Sequence, residues 1–128
     1  MRQRSAVMVE INLFKHSRDV IELDTGAVLF NHGDTGDCMY AVVEGAVALT
    51  VGGVQVEEVG PGGILGEMAL IDRSPRSATA SALTATRVAC VDQQQFSYLV
   101  QEHPTFALQV MSSMAERLRR ANRPVEHS

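Results

Sequence analysis

Two oppositely charged side chains stand nine positions apart among small and apolar neighbours: Glu67 and Arg76 in Gly66-Glu-Met-Ala-Leu-Ile-Asp-Arg-Ser-Pro-Arg-Ser-Ala78. An arginine presents a planar fork of N–H donors that matches phosphate. A carboxylate repels phosphate but accepts hydrogen bonds, so a sugar hydroxyl is its natural partner. Gly66 permits close backbone approach. Glu67, Met68, Ala69 and Leu70 are good helix formers. A glycine followed by a helical turn points free N–H groups outward, which suits an anion. Ala69, Ser77 and Ala78 are small enough to leave room for a ligand, and Ser74-Pro75 re-aims the chain. An arginine for phosphate and a glutamate for ribose describe a nucleotide. The same residue types admit a second reading, in which Glu67 and Arg76 simply pair with each other.

Such a site needs elements to hold it. Turn signals recur every 8–12 residues ahead of it, at Asp24-Thr-Gly26, Gly33 to Gly36, Glu44-Gly45, Gly52-Gly53 and Gly60 to Gly63. Between them lie short apolar or alternating runs: Val20 to Leu23, Ala27 to Phe30, Met39 to Val43, Val47 to Val51 and Val54 to Val59. That rhythm predicts an all-β sandwich or barrel. Gly52-Gly53 between two valine-rich runs is a two-residue hairpin signal. Two further strands are expected over Arg76 to Ala82 and Thr84 to Val91. The period then changes. Gln93 to Glu102 reads as a helix, and a second begins near Pro104. Leu108, Met111, Ala115 and Leu118 share one face of it, which Val110 and Met114 widen. That face is expected to pack on the strands, with a dimer seam as its other use. A short helix before Ser17, carrying Ile11, Leu13 and Phe14, is expected at the start.

The 128 residues suit one domain, and 45% apolar with 20% charged residues is a soluble composition. The net charge is −4, and from Asp19 to Asp72 there are ten acidic residues and no Lys or Arg. An acidic body is a poor surface for nucleic acid. Arg117, Arg119, Arg120 and Arg123 instead suit a helix C-terminus. No apolar run is long enough for a signal peptide or a membrane span. Cys38 and Cys90 are expected as reduced core residues of a cytoplasmic protein. The four histidines are scattered without metal-ligand spacing. No nucleophile stands with a base, so neither metal, catalytic cofactor nor enzymatic activity is expected.

The segment Gly66-Glu-Met-Ala-Leu-Ile-Asp-Arg-Ser-Pro-Arg-Ser-Ala-Thr-Ala-Ser-Ala82 resembles the phosphate-binding cassette of the cyclic nucleotide-binding domain family. The family pattern, Gly-Glu-x-Ala-Leu followed by Arg-x-Ala, falls on Gly66, Glu67, Ala69, Leu70, Arg76 and Ala78. Leu29 to Tyr40 and Val43 to Ala46 resemble its earlier strands and turns, and the likeness covers about residues 20 to 120. It implies a mainly β fold with flanking helices, a double-stranded β-helix or jelly-roll-like β-roll. A single domain over 1–128 would place a short N-terminal helix at about 6–17, the roll at about 19–91 and two C-terminal helices at about 92–122.

Carried onto these positions, the resemblance gives Glu67 the ribose 2′-hydroxyl and Arg76 the cyclic phosphate. Backbone N–H groups from Gly66 through Met68 to Ala69 assist. Ser77 lies where a hydroxyl reaches phosphate or purine, and it places cAMP ahead of cGMP. Arg117, in the last helix, is either a lid residue stacked on the purine or a solvent-facing arginine. Within these 128 residues no DNA-binding domain, tandem domain or membrane helix is expected beside the cassette. The expected function is therefore a stand-alone regulatory sensor acting in trans on an unidentified protein partner, with homodimerisation through the last helix as one route. The alternative is a ligand-free roll serving as a protein-interaction module, with Glu67 and Arg76 paired.

Overall fold

The computed structural model describes residues 19–121. The helix expected at 6–17 lies outside them. Eight strands and three helices follow in order: β1 (Val20–Leu23), β2 (Val28–Phe30), β3 (Cys38–Glu44), β4 (Val47–Val51), β5 (Val54–Val59), β6 (Ile64–Leu65), α1 (Glu67–Asp72), β7 (Thr79–Ala82), β8 (Thr86–Asp92), α2 (Gln93–Glu102) and α3 (Pro104–Ala121). The strands form two antiparallel four-stranded sheets, ordered β1-β8-β3-β6 and β2-β7-β4-β5. This is the β-roll with C-terminal helices expected from the sequence.

Strand β3 shows why the sheets stack as they do. Side chains alternate across a strand. Met39 and Ala41 join a core cluster with Phe106 and Val110 of α3, whereas Val42 joins a cluster between the sheets with Val47, Val59 and Val88. Both faces of β3 are covered, so its sequence is nearly continuously apolar. The β4–β5 hairpin turns at Gly52 and Gly53, both with positive φ, as a tight primed turn requires. Helix α2 starts on a capping box in which Asp92 and Gln95 exchange hydrogen bonds.

Four expectations change. The strand expected from Arg76 begins at Thr79, because 73–78 is a loop. Arg73 takes a left-handed φ of 61° after α1, and Asp72 Oδ1 accepts from both Ser74 N and Ser74 Oγ. The strand expected from Thr84 begins at Thr86, and Ile64–Leu65 adds a short strand that the sequence rhythm does not reveal. Cys38 is buried, but Cys90 is only half-buried. Finally, α3 does not pack through Leu108, Met111 and Leu118, which are exposed; of the expected face Val110 is buried and Met114 packs on the core, beside the buried Phe106 and Ser113.

Candidate functional site

A cavity of about 340 Å³ opens between α1, the following loop, the β-roll and α3. Gly66, Glu67, Met68 and Ala69 line one wall, and Arg76, Ser77 and Ala78 another. Arg117 closes a third side with Met114 and Leu118, while Phe30 and Leu49 supply the roll's apolar surface. The structure thus brings all eight candidate residues to one cavity.

Helix α1 begins on Gly66, whose φ of 76° is a left-handed conformation that favours glycine. A Cβ there would also collide with the Arg76 guanidinium. Glu67, in the first turn, is 2% exposed. Arg76 is 5% exposed. Its backbone is pinned to the loop after β2: Arg76 N donates to Asp34 O at 2.8 Å, and Gly33 N donates to Arg76 O at 2.7 Å. Its guanidinium donates to the carbonyls of Gly66 (3.1 Å) and Cys38 (3.0 Å). It lies 4.4 Å from the Phe30 ring centroid and 5.5 Å from that of Tyr40, in cation–π range. Among the described residues no carboxylate pairs with Arg76, and its Nε is buried without a hydrogen-bond partner. The direct Glu67–Arg76 ion pair is therefore not what forms.

Glu67 is paired instead with Arg117, whose Nη1 donates to Glu67 Oε1 at 2.5 Å and to Ser113 Oγ at 3.1 Å. The other edge of the Arg117 guanidinium grips Glu57 of β5, through Nε to Oε1 (3.0 Å) and Nη2 to Oε2 (2.8 Å). Nη2 also donates to Ile64 O at 2.7 Å. Arg117 is thus no solvent-facing arginine. Burial works against its cation, but the hydrogen bonds to Glu57 and the charges of both glutamates outweigh that and hold its proton more tightly than usual. Arg120 adds bonds to Glu57 (3.1 Å) and Glu116 (3.0 Å).

Glu57 is the residue that sequence reasoning missed. It is 3% exposed, whereas its neighbours Val54 and Val56 face solvent. In Val54-Gln-Val-Glu-Glu-Val59 the alternation alone assigns the first two valines to the interior, so no local signal marks the carboxylate as the buried group.

Near Arg76, burial is the main cause that raises the Tyr40 hydroxyl, with a hydrogen bond to Cys38 adding to it. Burial also pushes the Cys90 thiol up to about 12, again reinforced by Cys38. Both shifts hold these groups in their neutral forms at physiological pH. Among the described residues no cluster of side chains has metal-ligating geometry, and no helix is long and apolar enough to cross a membrane.

Residues 20–103 match the profile of the cyclic nucleotide-binding domain. The chain is 40% identical over 102 residues to the cyclic nucleotide-gated potassium channel mll3241 of Mesorhizobium japonicum, an alignment covering 80% of this chain and 27% of the channel. The Thermus thermophilus catabolite activator protein superposes with a TM-score of 0.71 at 31% identity, covering 80% of this chain and 51% of that one. The EAL enzyme Bd1971, solved in cAMP-bound and cGMP-bound forms, gives a TM-score of 0.60 at 34% identity for each, covering 80% of this chain and 29% and 28% of those chains. This chain therefore spans about a quarter of the channel's length and half that of the activator. The cassette that carries Glu67 and Arg76 falls inside the matched region, and the roll that folds it into a cavity is shared with these structures, so the chain belongs to the cyclic nucleotide-binding domain family.

Proposed function

We propose that this chain is a regulatory cyclic nucleotide sensor without catalytic activity, with cAMP as the preferred ligand and cGMP second. The observation that carries the reading is the state of Arg76. It is a buried cation with no carboxylate partner among the described residues and an unpartnered Nε, set at the wall of a cavity. Burying a charge is costly unless it is paired. A phosphate in the cavity supplies the missing counter-charge, with the first-turn N–H groups of α1 beside it. Glu67, in the same cavity, serves the ribose 2′-hydroxyl, and Ser77 stands beside Arg76 for phosphate or purine. The apolar surface of Phe30, Leu49 and Met114 suits a purine. Arg117 spends its in-plane donors on protein groups, so its contribution to a base is the face of the guanidinium. The reduced cysteines support a cytoplasmic setting.

Ligand acts on α3 because Met114, Arg117 and Leu118 belong both to that helix and to the cavity. It shifts α3 only by its difference in affinity for two positions of the helix. The exposed stripe Leu108, Met111 and Leu118 is where a protein partner, or a second copy of the chain, would read the change.

Isothermal titration with cAMP and cGMP, beside Arg76→Ala, tests this. Saturable binding is expected, with cAMP the tighter ligand. Removing the phosphate partner should cost ~2–5 kcal/mol. Absence of heat and of thermal shift with both nucleotides would reject the sensor and leave a ligand-free interaction roll.

A further inference from the structure

We propose that Glu57 is a positioning residue for ligand recognition: by holding the far edge of Arg117, it keeps one oxygen of Glu67 free for a sugar hydroxyl. The inference rests on the reading that Glu67 receives the ribose 2′-hydroxyl.

A guanidinium carries five N–H donors in one rigid plane. All five directions of Arg117 are used. Nε and Nη2 meet the two oxygens of Glu57, Nη2 also meets Ile64 O, and Nη1 meets Glu67 Oε1 and Ser113 Oγ. The bidentate grip lies on Glu57, and Glu67 receives only a single bond. Among the described residues Glu67 Oε2 has no hydrogen-bond partner, and Glu67 lines the cavity.

The plane is rigid, so fixing the Nε/Nη2 edge fixes where Nη1 points. Arginine prefers to take a carboxylate with two parallel bonds. Were Glu57 neutral, the guanidinium would turn and take both oxygens of Glu67, closing the acceptor to a ligand. Glu57 also supplies negative charge on the far side of Arg117, so the cation neutralises Glu67 less. Arg120 keeps Glu57 itself in place through Nη1 to Oε1. A carboxylate buried at 3% on an edge strand, while Val54 and Val56 face solvent, has this arrangement as its reason.

The experiment compares cAMP with 2′-deoxy-cAMP on the full chain, by titration, for wild type, Glu57→Gln and Arg117→Lys. The deoxy ligand lacks the hydroxyl assigned to Glu67, so the affinity ratio isolates that contact. Wild type should prefer cAMP by about tenfold or more, the scale of a hydrogen bond to a charged group. Glu57→Gln should collapse the ratio toward one while leaving affinity for the deoxy ligand within about twofold, since that affinity comes from the Arg76 end. Arg117→Lys keeps a cation but has no fork with which to take both oxygens of Glu67, so it should keep the preference for cAMP over the deoxy ligand.

A ratio unchanged in Glu57→Gln overturns the proposal while the sensor reading stands, and so does a ratio that collapses in Arg117→Lys as well. An equal loss for both ligands in both variants also overturns it, because that is general damage to the fold. Wild type that binds cAMP without distinguishing it from the deoxy ligand removes the Glu67 contact on which the proposal rests. Wild type that binds neither overturns the sensor reading itself and the proposal with it.

Discussion

Arg117 Nη1 and Glu67 Oε1 meet at 2.5 Å across 50 residues of chain. This contact joins the final helix to the first turn of the cassette, and Glu57 completes a triad with only 4% and 2% exposure of the two carboxylate side chains. The last helix and the nucleotide cassette are thereby one electrostatic unit. A ligand that engages Glu67 acts on a carboxylate that α3 also uses.

Arg117→Ala should destabilise the fold strongly. It strands the buried Glu67 and leaves Glu57 with Arg120 alone, and breaking a buried pair costs ~3–5 kcal/mol. Urea denaturation measures it. A loss below ~1 kcal/mol would show that the triad is not formed in solution, since values that small belong to exposed pairs.

Arg76→Lys should separate binding from folding. An ammonium cannot present the planar fork or lie flat against Phe30 and Tyr40. Nucleotide affinity should fall at least about tenfold, as for losing a charge-assisted hydrogen bond, with stability within ~1 kcal/mol of wild type. Titration and denaturation of the same sample decide. An unchanged affinity would remove Arg76 from the phosphate role.

Gly36→Ala tests the packing behind that arginine. A Cβ at Gly36 would stand 2.4–2.5 Å from three guanidinium atoms of Arg76. The side chain must move, and overpacking of this kind costs ~1–3 kcal/mol. The cost should appear mainly as weaker nucleotide binding, because the displaced atoms end a flexible side chain. Wild-type affinity in the alanine variant would mean that the position of Arg76 is not critical.

Phe106→Ala should loosen α3. Phe106 is 1% exposed and stacks edge-on to Phe96 at 5.7 Å. Its removal should cost ~3–5 kcal/mol. Affinity should weaken as well, since α3 carries Met114 and Leu118 into the cavity. Thermal melts with and without cAMP read both effects.

Cys90 should resist alkylation. The thiolate is the nucleophile, and burial first, then Cys38, pushes its thiol up to about 12. At pH 8 iodoacetamide should label the folded protein slowly and the urea-unfolded protein fast, as read by mass spectrometry. The raised pKa supports stability below the ordinary thiol value, and that support is lost as pH rises toward about 12. Fast labelling of the native protein would contradict the raised pKa.

The sequence by itself determined most of the elements of residues 19–121 and the cassette. Strand rhythm, the glycine hairpin, the change to helical period and the Gly-Glu to Arg-x-Ala spacing are local properties, and local propensity and pattern suffice to read them. The eight candidate residues were legible because seven lie within 13 consecutive positions, Gly66 to Ala78. What the sequence could not decide was which face of a half-polar element turns inward. The reading of α3 followed its apolar residues, yet Leu108, Met111 and Leu118 are exposed, and the inward face carries Phe106, Val110, Ser113 and Arg117. The same inversion occurs in β5, where Glu57 is buried and Val56 exposed. The reason is common to both. A polar side chain is driven out only while it lacks a partner. Glu57 and Arg117 satisfy each other across 60 residues, and that partnership exists only once the roll has brought β5, α1 and α3 together.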